Sequence, residues 1–110
     1  MITIGCDVKD KIEQSNFGNV ILTSNIDQHA EQFDVLIDFT LPQPSLNLIN
    51  KCVSMKTPIT IGTTGFTAEQ MQQVVSASEF IPILLAPNMS RGVNASLDGL
   101  ARISKSLKGY

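Results

Sequence analysis

Ile59-Thr60-Ile61-Gly62-Thr63-Thr64-Gly65-Phe66 is the stretch that decides the fold. Apolar residues run up to a glycine, two hydroxyls follow, and a second glycine closes the turn. Thr67-Ala68-Glu69-Gln70 then opens a helix, and Thr67 with Gln70 forms a capping-box pattern. The stretch therefore reads as a strand delivering a small polar loop to a helix N-terminus. Such loops bind anionic or nucleotide ligands, because a helix N-terminus offers unpaired N–H groups and a partial positive charge. Taken alone, residues 62–65 are better read as a sharp turn, so the loop gains meaning only from its neighbours.

Outward from the loop, the same strand-and-helix unit recurs. Residues 34–39 (DVLIDF) have the continuous apolar centre of a strand covered on both faces. Leu41-Pro42-Gln43-Pro44-Ser45 opens a helix, proline being tolerated in a first turn whose N–H groups lack partners. Leu46, Ile49, Cys52 or Val53, and Lys56 continue it at helical spacing. After the loop, Met71, Val74, Val75 and Ser78 give one helical face, and residues 81–85 (IPILL) give the next strand. A last helix is expected from about 93 to 108, with a stripe of Val93, Leu97, Leu100, Ser104 and Leu107. Lys105 and Lys108 sit in its last turn and Gly109 ends it. Upstream, residues 1–6 alternate and predict a strand ending at Asp7. Residues 9–18 read as polar and irregular, and residues 19–23 (NVILT) as a short strand. Ser24 or Asn25 caps a brief helix through Gln32. Strands alternating with helices predict an α/β fold around a parallel sheet.

Composition narrows the class. A length of 110 residues suits one domain, and 43% hydrophobic residues suit a packed core rather than a disordered tail. Only 16% of residues are charged, low for a small domain, as expected of a surface that something else covers. A net charge of −2, without a Lys/Arg run, gives no electrostatic case for nucleic acid or a membrane surface. Cys6 and Cys52 sit in apolar patterns and read as buried reduced thiols. His29, the single histidine, reads as a surface residue, and no Cys/His cluster suggests a metal. Signal-peptide and membrane-span patterns are absent from these residues, which makes a cytoplasmic address the default expectation.

In open parallel sheets ligands bind outside the carboxyl ends of the strands. Four predicted strands end in distinctive groups: Asp7, then Phe39-Thr40, then Gly62-Thr63-Thr64, then Ala86-Pro87-Asn88-Met89-Ser90. One sheet edge brings them together. A carboxylate in the place of Asp7 accepts hydrogen bonds from ribose hydroxyls, although a solvated strand-end aspartate is the commoner case. Thr40 either meets a ligand or caps the next helix. Asn88 either meets a ligand or satisfies its own backbone in an Asx-turn. Asp38 brings to mind a phospho-accepting receiver domain, but Leu85-Ala86-Pro87 offers no lysine after the last strand.

Three segments together carry a family resemblance. Residues 34–42 (DVLIDFTLP), 61–66 (IGTTGF) and 86–94 (APNMSRGVN) resemble dihydrodipicolinate reductase in order and approximate spacing. The resemblance implies an α/β, Rossmann-like doubly wound parallel sheet, incomplete because the first βα unit is absent: no glycine-rich fingerprint precedes Asp7. It implies a nicotinamide dinucleotide as cofactor, NADH or NADPH, and hydride reduction of a cyclic small-molecule substrate in lysine and diaminopimelate synthesis. Carried over by motif, Gly62, Thr63 and Thr64 lie against the nicotinamide half of the cofactor. Ala86, Pro87, Asn88 and Met89 line a hinge beside it, Phe39 and Thr40 flank the pyrophosphate, and Asp7 is the acidic ribose ligand. The family often places an arginine after that acid to meet a 2′-phosphate. Here Val8 follows, which mildly favours NADH, with Lys9 in partial compensation.

The resemblance also implies a division into residues 1–92, a partial dinucleotide-binding domain, and 93–110, a hinge helix. That helix leads to a substrate and tetramerisation domain outside these residues. The family's His-rich catalytic run and its substrate clamp are not matched here, so no catalytic residue is expected in the chain. The chain alone is expected to be inactive, at most weakly nucleotide-binding, and poorly soluble or self-associating. Two alternatives stay open at this stage: another NAD(P)-dependent dehydrogenase of the same architecture, and a degenerate, non-catalytic nucleotide-binding or interaction module.

Overall fold

The computed structural model describes residues 4–6, 11–15 and 18–109. In chain order these form β1 (Ile4–Cys6), β2 (Lys11–Ser15) and β3 (Gly18–Thr23), then a short 3₁₀ turn at Ile26–His29. There follow β4 (Leu36–Asp38), α1 (Pro42–Met55), β5 (Ile59–Ile61), α2 (Ala68–Ala77), β6 (Ile83–Leu85) and α3 (Arg91–Ser106). The strands make two three-stranded sheets, β1-β3-β2 and β4-β5-β6.

The second sheet positions the site. It is wholly parallel and in register, with rows Leu36-Ile59-Ile83, Ile37-Thr60-Leu84 and Asp38-Ile61-Leu85. Side chains alternate across a strand, so the first and third rows face one side and the middle row the other. The first side carries the core. Leu36, Ile59, Ile61 and Ile81 pack with Leu46, Ile49 and Cys52 of α1 and Val74 of α2. The middle row is uncovered, with Ile37 61% and Leu84 59% exposed. Two successive right-handed crossovers stepping the same way put α1 and α2 on one face. The described residues thus show one wound face of a Rossmann-like sheet.

Each helix has a readable start and stop. The apolar spacing of α1 is realised, with Leu46, Ile49 and Cys52 buried. Lys56 ends it in the left-handed region at φ 56°, a place that favours glycine. Thr67 accepts from the Gln70 amide and Gln70 Oε1 accepts from the Thr67 amide, so the capping box of α2 is complete. Thr67→Ala should cost about 1 kcal/mol of stability, read as a shift in the urea midpoint with an unchanged slope.

Four expectations need correction. Residues 11–15, read as irregular, form a strand antiparallel to β3 in a hairpin. Their mixed polar pattern gives no strand signal in sequence, and the structure pairs them with β3. Thr40 is not the cap of α1; Leu41 holds that position without a side-chain bond. On α2 only Val74 is buried, whereas Val75 is exposed, because the helix meets the core along a narrow line. Finally, α3 begins at Arg91, capped by Ser90 through the Val93 amide, and none of its residues is buried. The stripe Val93, Leu97, Leu100 and Leu107 exists but faces solvent, joined there by Ile103.

Candidate nucleotide edge

The carboxyl ends of β4, β5 and β6 lie side by side. The Gly62 amide donates to the Asp38 carbonyl at 2.8 Å, and the Ala86 amide donates to the Ile61 carbonyl at 2.9 Å. These two bonds carry the parallel ladder one step beyond the strands. They bring Phe39 and Thr40, residues 62–64, and Ala86 onto one edge, three of the four strand ends that the sequence places there; β1, the strand expected to lead to the fourth, belongs to the other sheet. Asp7 lies outside the described residues.

Gly62 lies in a close approach to a side chain, not to backbone. A Cβ built on it would overlap the Phe39 ring. That ring, otherwise largely exposed, lies against the glycine backbone and presents an aromatic surface at the edge. Gly65 takes φ 86°, a conformation that costs glycine little, and this turns the chain into α2.

The two threonines of the loop part company. Thr63 is buried and its hydroxyl points inward, whereas Thr64 is exposed. The Thr63 Oγ1 donates to Asp38 Oδ2 at 3.2 Å and lies 3.2 Å from the Ser45 hydroxyl. The Ser45 hydroxyl also donates to Asp38 Oδ2. On the other oxygen, Oδ1 accepts from the Thr40 amide at 3.0 Å and the Thr40 hydroxyl at 2.7 Å. Asp38 is 1% exposed. Three hydroxyls and one amide therefore hold a buried carboxylate, with no cation among its partners in the described residues. Sequence reading missed Asp38 and Ser45 as parts of this edge. Their signal was a lone acid inside an apolar strand, with hydroxyls two and seven residues on.

The electrostatics differ from the expectation of an open helix N-terminus. On α2 the capping box takes up two of the first-turn donors. The Glu69 carboxyl sits below the ordinary carboxylate range because it accepts from its own backbone amide and, secondarily, from the Thr67 hydroxyl. Those bonds are present above the ordinary range and are lost as pH falls through the lowered value. On α1, Pro42 and Pro44 have no N–H, which leaves Gln43 as the free donor within the first three residues. The amides of Thr63, Thr64 and Gly65 take up no hydrogen bond among the described residues. The loop, more than either helix end, supplies donors here.

Residues 88–90 and Asn94 satisfy one another. Asn88 Oδ1 accepts from the Ser90 amide at 3.0 Å, the Asx-turn alternative, and its side-chain amide donates to Asn94 Oδ1 at 3.3 Å. Asn94 donates back to the Asn88 carbonyl at 3.4 Å. These contacts tie residues 88–90 to the start of α3. Pro87 and Met89 are exposed, and Ala86 is half-buried beside Gly62. No group of three or more metal-ligating side chains occurs among the described residues. None of their helices is long and apolar enough to cross a membrane.

Residues 3–89 match the family model described as dihydrodipicolinate reductase, N-terminus. The chain belongs to this family. It is 44% identical over 94 residues to the 4-hydroxy-tetrahydrodipicolinate reductase of Syntrophotalea carbinolica, covering 86% of this chain and 32% of that protein. It is 45% identical over 94 residues to the enzyme of the same name from Pseudomonas fluorescens, covering 86% and 35%. The chain thus spans about a third of the length of these relatives. The dihydrodipicolinate reductase family binds NAD(P)H, and its N-terminal part is an α/β Rossmann-like partial sheet in this structure. Membership in this family sets aside the reading as another dehydrogenase of the same architecture.

Proposed function

We propose that this chain supplies the nicotinamide-side edge of an NAD(P)H-dependent 4-hydroxy-tetrahydrodipicolinate reductase. The observation that carries the reading is the in-register alignment of three strand ends, closed by the Gly62–Asp38 and Ala86–Ile61 bonds. It comes from a chain of this family, whose matched region includes all three ends. Residues 62–64 face the nicotinamide half, chiefly through main-chain amides and the Thr64 side chain. Phe39 and Thr40 flank the pyrophosphate, residues 86–89 form the hinge, and Asp7 holds the ribose. Residues 1–92 are the dinucleotide-binding part and 93–110 the hinge helix, whose exposed stripe awaits the substrate-binding part of a homotetramer.

When bound, the nicotinamide supplies a hydride to the cyclic substrate. The chain's own residues position the ring, and hydride transfer also needs a substrate held against it. Because the chain spans a third of its relatives, turnover is proposed for the complete reductase, and none is expected from these 110 residues. NADH is favoured over NADPH, since Asp7 followed by Val8 sets a carboxylate against a 2′-phosphate.

Titrating the chain with NADH and NADPH, and following nicotinamide fluorescence, tests this reading. Saturable enhancement, tighter for NADH, is the expected result. No saturation with either nucleotide at millimolar concentration would overturn it.

A further inference from the structure

We propose that Asp38 is the positioning residue of the 62–64 loop: a buried carboxylate that never meets the ligand sets the main-chain donors that do. The proposal rests on the nucleotide reading above. Residue 38 grips the loop twice. Its carbonyl accepts from the Gly62 amide at 2.8 Å, and its carboxylate accepts from the Thr63 hydroxyl at 3.2 Å. Ser45, near the start of α1, closes the triangle by contacting both Asp38 and Thr63. The Thr40 amide and hydroxyl fill the second carboxylate oxygen. One side chain therefore ties β4, the first turns of α1, residue 40 and the loop into a single unit.

The arrangement matters because of what else the edge offers. The capping box takes up two donors at the start of α2, and two prolines remove donors from the first turn of α1. The Thr63, Thr64 and Gly65 amides remain available, and their direction depends on where Thr63 is pinned. Thr63 is 3% exposed, so its hydroxyl has no path to a ligand and acts through the backbone. At 3.2 Å the Thr63–Asp38 bond is long for a hydroxyl donor, and Ser45, which contacts both residues, completes the pin. Its loss frees the loop without removing any group that touches the nucleotide.

The experiment compares the wild-type chain with Thr63→Val, Thr63→Ser and Asp38→Asn. Valine keeps the branched shape and removes only the hydroxyl; serine keeps the hydroxyl. Two quantities are read: hydrogen exchange across residues 59–66 in the ligand-free chain, with residues 68–77 as internal control, and NADH affinity by fluorescence. Thr63→Val and Asp38→Asn should each weaken NADH binding about tenfold and speed exchange in the loop by more than they speed it in α2. Thr63→Ser should restore both. Wild-type exchange in Thr63→Val overturns the proposal, as does faster exchange with unchanged affinity. If the wild-type chain does not bind NADH, the nucleotide reading fails, and the exchange comparison still decides whether Asp38 and Thr63 pin the loop. If Asp38→Asn does not fold, the Thr63 pair decides alone.

Discussion

Ile61→Ala should destabilise the β4-β5-β6 unit by about 4 kcal/mol. Ile61 is fully buried in the central strand, flanked by Asp38 and Leu85 in register and covered by the core under α1 and α2. Truncation removes its transfer free energy and leaves a cavity that neighbours on both sides prevent from collapsing. Leu84→Ala supplies the contrast. Leu84 sits on the next strand, but on the open face, where it is more than half exposed. Its truncation should cost under about 1 kcal/mol, since little area leaves the protein interior. Urea unfolding followed by far-ultraviolet circular dichroism compares the two. Equal costs would show that the open face is covered in solution and that the assignment of faces is wrong.

Asp38→Ala should cost about 3 kcal/mol, the second largest effect. The substitution leaves the buried hydroxyls of Ser45 and Thr63 with only each other, and strips the Thr40 amide of its side-chain acceptor. A buried polar group without a partner loses the whole of its solvation. Asp38→Asn should cost less, because the amide oxygen still accepts and the hydroxyls can reverse direction to receive its N–H. The order of urea midpoints, wild type above Asn above Ala, checks the argument. An alanine variant as stable as wild type would mean that hydroxyl bonding does not hold this carboxylate in place.

Parts of the fold were legible because local physics writes them into the chain. The capping box of Thr67 and Gln70 is a four-residue device, and it forms as read. The stripe Leu46, Ile49 and Cys52 is a repeat along one helix, and it is buried as read. The convergence of Phe39, Gly62 and Ala86 follows from parallel strands sharing an edge, and the ladder bonds join them. Other features were not local. Residues 11–15 form a strand through pairing with β3, a partner that the local pattern does not announce. The apolar stripe of α3 correctly marks a helix, yet periodicity says which residues share a face and not whether anything covers it. Thr63 and Thr64 are adjacent and chemically identical in sequence; only the placement of Asp38 and Ser45 sends one inward and leaves the other at the surface.

The sequence by itself determined the strand–loop–helix units, the parallel sheet and the family, since each rests on short-range propensity or on contiguous residues. Tertiary structure decided which donors the edge offers and what holds them. A buried carboxylate needs partners from several chain segments at once, here residues 40, 45 and 63 around Asp38. Hydrogen bonds of that range depend on where strands and helices come to rest.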